Sequence, residues 1–187
     1  AIDPIEKKPL SHFYPGSEIL SFGTAGCNLG CKFCQNWDIS QEKKVNESIN
    51  VSPEEMVELA ISHGAESIAY TYSDPIAFYE YTLDTAMIAR DQGIKNVFIS
   101  AGYINEAPLR ELAPWLDGAN IDLKSFDNEI YEMLNAGTLD PVLDTLRILK
   151  EMDVWVEITN LVVPTWTDDM DMIKKMCAWL VENNFAD

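Results

Sequence analysis

The chain has 187 residues, with 13 basic and 31 acidic side chains and a formal net charge of −18. That charge excludes a broad basic face for nucleic acid, which needs clustered Lys and Arg, and charge-driven attachment to anionic membrane surfaces. An apolar fraction of 47% and a charged fraction of 24% are those of a globular protein with a substantial core, and no run approaches the ~18 apolar residues of a membrane span.

Residues 1–18 read as a lead-in segment, and 19–187 as one core domain. Ala1-Ile2-Asp3-Pro4 resembles mid-chain sequence and the end is equally abrupt, so a piece of something longer is expected. Ile19-Leu20-Ser21-Phe22 is the first strand. Ser52-Pro53-Glu54-Glu55 combines a Ser cap, Pro at the first helical position and Glu at the third, which predicts a capped helix. Ser67 to Thr71 is the second strand. Asp74-Pro75 and Asp140-Pro141 both predict a cap followed by a helix, and Gly93 predicts a helix stop. Val97-Phe98-Ile99, Asn120 to Leu123 and Val154 to Val163 complete the strands, and a last helix is expected over 169–182. Continuous apolar runs such as Leu161-Val162-Val163 suit strands buried on both faces. Five strands alternating with helices predict parallel βαβ units in an open α/β barrel or doubly wound sheet, with a further strand expected after the last helix.

Cys27, Cys31 and Cys34 follow the first strand at a spacing of C-x3-C-x2-C. Three thiols in one loop make a disulfide framework improbable, because the number is odd and the fold is large enough without staples. Iron–sulfur or metal binding is the better reading. A cubane cluster has four irons, so three local thiolates leave one iron open to a small molecule. The alternative is a non-catalytic metal or electron-transfer protein, with either a structural cluster or a zinc knuckle completed by His12 or His63. Cys177 reads as a small core residue and His63 as a helix-end or surface residue.

The motif, with Phe33 before the third cysteine, resembles the signature of the radical S-adenosylmethionine (radical SAM) enzymes. Cys34-Gln35-Asn36-Trp37 is similar to the stretch found in activating enzymes of glycyl-radical enzymes, including pyruvate formate-lyase. Phe13-Tyr14-Pro15-Gly16-Ser17 and Gly26 to Asn36 also resemble radical SAM members of the AmmeMemoRadiSam group. The resemblance implies a partial (β/α)6 TIM-like open barrel of parallel strands, with the last strand or strands missing from this chain. It implies that Cys27, Cys31 and Cys34 hold a [4Fe–4S] cluster that binds S-adenosylmethionine. One electron then cleaves the sulfonium to methionine and a 5′-deoxyadenosyl radical for hydrogen abstraction, and a glycyl-radical enzyme is one candidate target.

The same resemblance assigns cofactor contacts. Phe33 lies against the adenine, with Gln35 and Asn36 beside it. Tyr72-Ser73-Asp74-Pro75 stands where relatives carry a Glu-containing turn near the methionine amino group, with Asp in place of the more usual Glu. Ser100-Ala101-Gly102 replaces a Thr-Asn-Gly-like turn. Asp122-Leu123-Lys124 matches the activating enzymes, with Asp122 and Lys124 on one face of the strand, where an internal structural ion pair is the competing reading. Asn160 to Pro164 matches a strand ending in Val-Val-Pro, with the Val162 backbone at the adenine. All these positions fall at the carboxyl ends of strands, where open α/β folds place ligands.

Residues 1–44 carry five basic and five acidic side chains, so the whole acidic surplus lies after residue 44. The neutral stretch 27–44, with Lys43 and Lys44, is expected to receive a flavodoxin- or ferredoxin-type electron donor. The unpaired thiols favour a reducing, cytoplasmic setting.

Overall fold

Among the described residues six strands form one sheet in chain order: β1 (Ile2–Pro4), β2 (Glu18–Phe22), β3 (Ser67–Tyr70), β4 (Lys95–Ser100), β5 (Gly118–Asp122) and β6 (Trp155–Thr159). The computed structural model describes residues 1–42 and 50–186. From β2 to β6 every neighbouring pair is parallel, as the alternating strand–helix pattern requires. The lead-in segment departs from the all-parallel expectation by adding β1 antiparallel to β2 at the sheet edge.

Helices α1 (Trp37–Ser40), α2 (Pro53–Ser62), α3 (Tyr79–Asp91), α4 (Glu106–Leu112), α5 (Asn128–Asn135), α6 (Asp140–Glu151) and α7 (Met170–Glu182) complete the fold. The capping box at α2 forms as read: Ser52 Oγ accepts from Glu55 N, and the Glu55 carboxylate accepts from Ser52 N. Asp74 caps the 3-10 turn Pro75–Phe78 that leads into α3, and Gly93 follows α3 at a positive φ. Asp140 differs from its reading as a cap. Asn128 Oδ1 accepts from Leu139 N at 3.0 Å, the helix starts one residue earlier, and Asp140 lies inside its first turn. There its carboxylate still complements the helix dipole.

The predicted strand Val154 to Val163 is shorter than expected, and the reason is local. Leu123 N donates to Thr159 O, so the next ladder bond would go to Leu123 O. Asn160 Nδ2 takes that carbonyl instead, at 2.6 Å, and the backbone leaves the sheet. Cys177 also departs from its core assignment. In α7 the buried residues are Met172 and Met176, and Cys177, one step of ~100° further round, is exposed.

The sheet has two unlike faces. Leu20, Ile68, Tyr70, Phe98 and Ile121 pack outward against the helices. Ile19, Ala69 and Val97 face inward, where Ile5, Leu10 and Phe13 of the N-terminal segment cover them. Two polar anchors hold that segment. The Glu157 carboxylate accepts from the N–H groups of Ser11, His12 and Phe13 at 2.8, 3.0 and 3.1 Å. Lys8 is 3% exposed, with its ammonium 3.0 Å from Asp3 and 3.3 Å from Tyr72 Oη.

The Lys7 ammonium, 2.6 Å away, holds the Asp3 carboxyl well below the usual carboxylate range; burial opposes it, and Lys8 and Tyr72 add to it. A carboxyl depressed in the folded state stabilises above its unfolded value, near 3.9, and loses that contribution as pH falls. Wild-type stability to urea is therefore expected to fall more steeply below about pH 4 than that of Asp3→Asn. Parallel curves for the two proteins would remove Asp3 from the account.

Candidate functional site

The cysteine loop runs from the end of β2 into α1, at the carboxyl edge of the sheet. Cys31 is buried and Cys27 and Cys34 are half-buried. All three pack in one cluster with Leu29, Ala101, Phe33 and Tyr103. Each sulfur has a hydrogen-bonding neighbour: Leu29 N to Cys27 at 3.4 Å, Asn135 Nδ2 to Cys31 at 3.1 Å, and Ser40 Oγ beside Cys34 at 3.4 Å. Polar neighbours of this kind suit cysteines that hold an iron–sulfur cluster. Burial pushes the Cys27 thiol up to about 11, and burial also raises Cys31 against the opposing Asn135 bond. Cys27 and Cys31 are therefore favoured as thiols before a cluster is assembled, and assembly releases their protons.

The end of α5 clamps this loop. Asn135 O accepts from Gly30 N at 2.9 Å and Leu134 O accepts from Lys32 N at 2.8 Å, so carbonyls left over at the helix terminus are used. Gly137 lets the two segments approach, since a Cβ there would lie 2.7 Å from Leu29 Cδ2. Asn28 Nδ2 donates to Tyr103 O, and Gln41 Nε2 to Leu29 O.

Asp74 organises the neighbouring strand ends. It is 2% exposed and accepts from Ile76 N (3.1 Å), Ser100 Oγ (3.0 Å) and Ala101 N (2.9 Å). Burial raises its carboxyl, and the donors from Ala101, Ile76 and Ser100 pull it back. Ser100 Oγ in turn accepts from Gly102 N at 3.0 Å. Gly102 has φ +68, and a Cβ there would lie 2.9 Å from Ile121, so glycine is required twice over. Asn36 Nδ2 donates to Tyr72 O at 2.6 Å and ties the cysteine loop to the turn after β3. Tyr72 itself has φ +73, uncommon for a non-glycine residue. Ser73 Oγ donates to Thr24 O at 2.6 Å.

Asp122 and Lys124 form the pair that their alternation predicts, at 2.7 Å. Burial, the largest influence on Lys124, disfavours its charge, yet Asp122, Cys31 and Asp74 together raise it. Leu123 points the other way, into the helix-side core, and its N–H and carbonyl are taken by Thr159 and Asn160. Gln35 is exposed, and Val162 is 52% exposed on the loop between β6 and α7. His12 Nδ1 lies 3.5 Å from Glu157, and His63 Nδ1 lies 2.8 Å from Leu59 O. Lys43 and Lys44 fall outside the described residues.

Sequence reasoning missed Asn135 and Ser40, and it assigned Tyr72 to the cofactor turn without its side-chain contacts to Asp3 and Lys8. Asn135 is 104 positions from Cys31, and Tyr72 is 69 from Asp3, so no local spacing reveals them. Ser40, six residues past Cys34, is the one that a local pattern could have flagged.

Comparison with known proteins identifies the family. The family model "Radical SAM superfamily" matches residues 22–177. The chain belongs to that superfamily, whose cofactors are a [4Fe–4S] cluster and S-adenosylmethionine. It is 46% identical over 175 residues to an uncharacterized protein of Methanocaldococcus jannaschii, covering 91% of this chain and 51% of the relative. The chain thus spans about half the length of that relative. It is 26% identical over 169 residues to the pyruvate formate-lyase 1-activating enzyme of Escherichia coli, covering 87% of this chain and 68% of that protein. Among solved structures, Streptococcus suis SuiB bound to S-adenosylmethionine has a TM-score of 0.71 at 14% identity, covering 89% of this chain and 38% of that one. That likeness is one of fold, a partial TIM-like barrel with an unclosed sheet. Among the described residues no helix is long and apolar enough to cross a membrane.

Proposed function

We propose that this chain is the core of a radical SAM enzyme that uses Cys27, Cys31 and Cys34 to hold a [4Fe–4S] cluster and cleaves S-adenosylmethionine reductively. The observation that carries this reading is the packing of the three thiols into one half-buried cluster at the carboxyl edge of a parallel sheet, each with a hydrogen-bonding neighbour. When bound, the reduced cluster supplies one electron that splits the sulfonium into methionine and a 5′-deoxyadenosyl radical.

The chain's own residues bind and orient. Phe33, packed in the thiol cluster, offers an aromatic face to the adenine, with Gln35 and the Val162 backbone as further contacts. Asp74 holds the Ser100–Gly102 turn and Asn36 holds Tyr72, so Ser73, Ser100 and Gly102 line the ribose and methionine side. Asp122 and Lys124 present one negative and one positive group, matched to the zwitterionic methionine end, with the Leu123 backbone between them. Ile5, Leu10 and Phe13 fill the inner face below the strand ends and keep water out from that side.

The finer reading is that the target is a glycine of a partner enzyme, with flavodoxin or ferredoxin as electron donor in a reducing cytoplasm. Its support is the 22–26% identity to pyruvate formate-lyase activating enzymes. Anaerobic reconstitution with iron and sulfide, then dithionite and S-adenosylmethionine, is expected to yield 5′-deoxyadenosine. A reduced, cluster-loaded protein that forms none sinks the catalytic reading. One zinc and no sulfide in the purified protein would restore the knuckle.

A further inference from the structure

We propose that Asn135 is a positioning residue that sets the reduction potential of the cluster through its bond to Cys31. This rests on the reading of Cys31 as a cluster ligand. The Asn135 side chain is 1% exposed, and its Nδ2 lies 3.1 Å from Cys31 Sγ, a close approach for an N–H bond to sulfur. Reduction adds negative charge to the cluster and its thiolates. A donor aimed at one sulfur stabilises the reduced form more than the oxidised form, and hydrogen bonds to sulfur are a recognised control of cluster potential.

The placement of this donor is over-determined. The same turn of α5 uses two main-chain carbonyls, Leu134 O and Asn135 O, to receive Lys32 N and Gly30 N on either side of Cys31. Ala136 then adopts φ +56 and ends the helix directly against Gly30, where a Cβ would meet Ala136 Cβ at 3.3 Å. The main chain thus holds the loop while the side chain addresses the sulfur. These are separable functions. Changing the side chain leaves both carbonyl clamps intact, so its effect is electrostatic before it is architectural. Cys27 and Cys34 have weaker neighbours, each at 3.4 Å. Cys31 is also the most enclosed of the three, where a dipole acts with least screening.

The experiment is a dithionite-poised redox titration of anaerobically reconstituted protein, followed by electron paramagnetic resonance of the one-electron-reduced cluster. Asn135→Leu keeps the approximate volume and removes the donor. Asn135→Asp keeps the shape and replaces the donor with an acceptor. Both are expected to shift the reduction equilibrium about tenfold against the reduced state, which for a one-electron couple is ~59 mV, with Asn135→Asp moving further. Resonance Raman of the wild type adds a measurement without mutation: an N–H bonded sulfur shifts its Fe–S stretching modes after exchange into deuterium oxide. If Asn135→Leu fails to assemble a cluster, Asn135→Asp and the wild-type Raman shift decide. Assembled variants that titrate as the wild type does, or wild-type Fe–S modes insensitive to deuterium, overturn the role of Asn135. A wild type that takes up no iron and sulfide overturns the ligand assignment instead, so the two failures are distinct.

Discussion

Cys31→Ser is expected to abolish cluster retention and to lower 5′-deoxyadenosine formation by more than about 100-fold, since even residues behind a metal ligand typically cost 10–100-fold. A serine oxygen is a harder, more basic donor and replaces thiolate poorly at iron. The fold itself is expected to survive. The Ser hydroxyl can still accept from Asn135 Nδ2, and the site loses only the sulfur's packing against its neighbours, about 1 kcal/mol in the metal-free protein. Iron and sulfide content per chain and product yield from one preparation separate the two effects. Cys177→Ser, on the exposed side of α7, is the control and is expected to change neither. Full activity in Cys31→Ser would refute the ligand assignment.

The second large effect is expected at Asp74. Its carboxylate receives three donors in a site closed to water, so Asp74→Ala leaves Ile76 N, Ala101 N and Ser100 Oγ without their acceptor. At about 1–3 kcal/mol for each orphaned group, partly relieved by rotation of the Ser100 hydroxyl, the loss is roughly 3–6 kcal/mol in urea unfolding. Asp74→Asn is not a conservative replacement. Its oxygen can serve Ile76 and Ser100, but its amide then faces Ala101 N donor to donor. An intermediate loss is expected, with weaker binding of S-adenosylmethionine because the Ser100–Gly102 turn loosens. Asp74→Ala as stable as wild type would show that Asp74 does not hold these strand ends together.

These two residues illustrate different degrees of legibility. Cys31 was readable because its chemistry is carried by local spacing: three thiols in one loop need no tertiary information to be recognised. Asp74 was readable only in half. Asp followed by Pro announced the cap, and the cap is there. Its contact with β4 was not announced, because Ser100 and Ala101 lie 26 and 27 positions away. Asn160 shows why a strand end misled. Apolar character continues through Val163, but one side-chain amide captures Leu123 O and ends the ladder. Cys177 shows the limit of residue type as a guide to burial, since helical phase decides it, and the phase follows Met172 and Met176.

By itself the sequence determined the order of the parallel strands β2 to β6, the caps at Ser52 and Asp74, and the gathering of three thiols in one loop after β2. Each is encoded within a few residues by period, turn chemistry or spacing. Only the tertiary structure decided that Ile5, Leu10 and Phe13 cover the inner face of the sheet, that α5 grips the loop, and that each thiol has a hydrogen-bonding neighbour. Apart from the Leu29–Cys27 bond, those contacts join residues from 6 to more than 100 positions apart. They depend on the sheet bringing strand ends to one edge, a consequence of parallel register that no local pattern records.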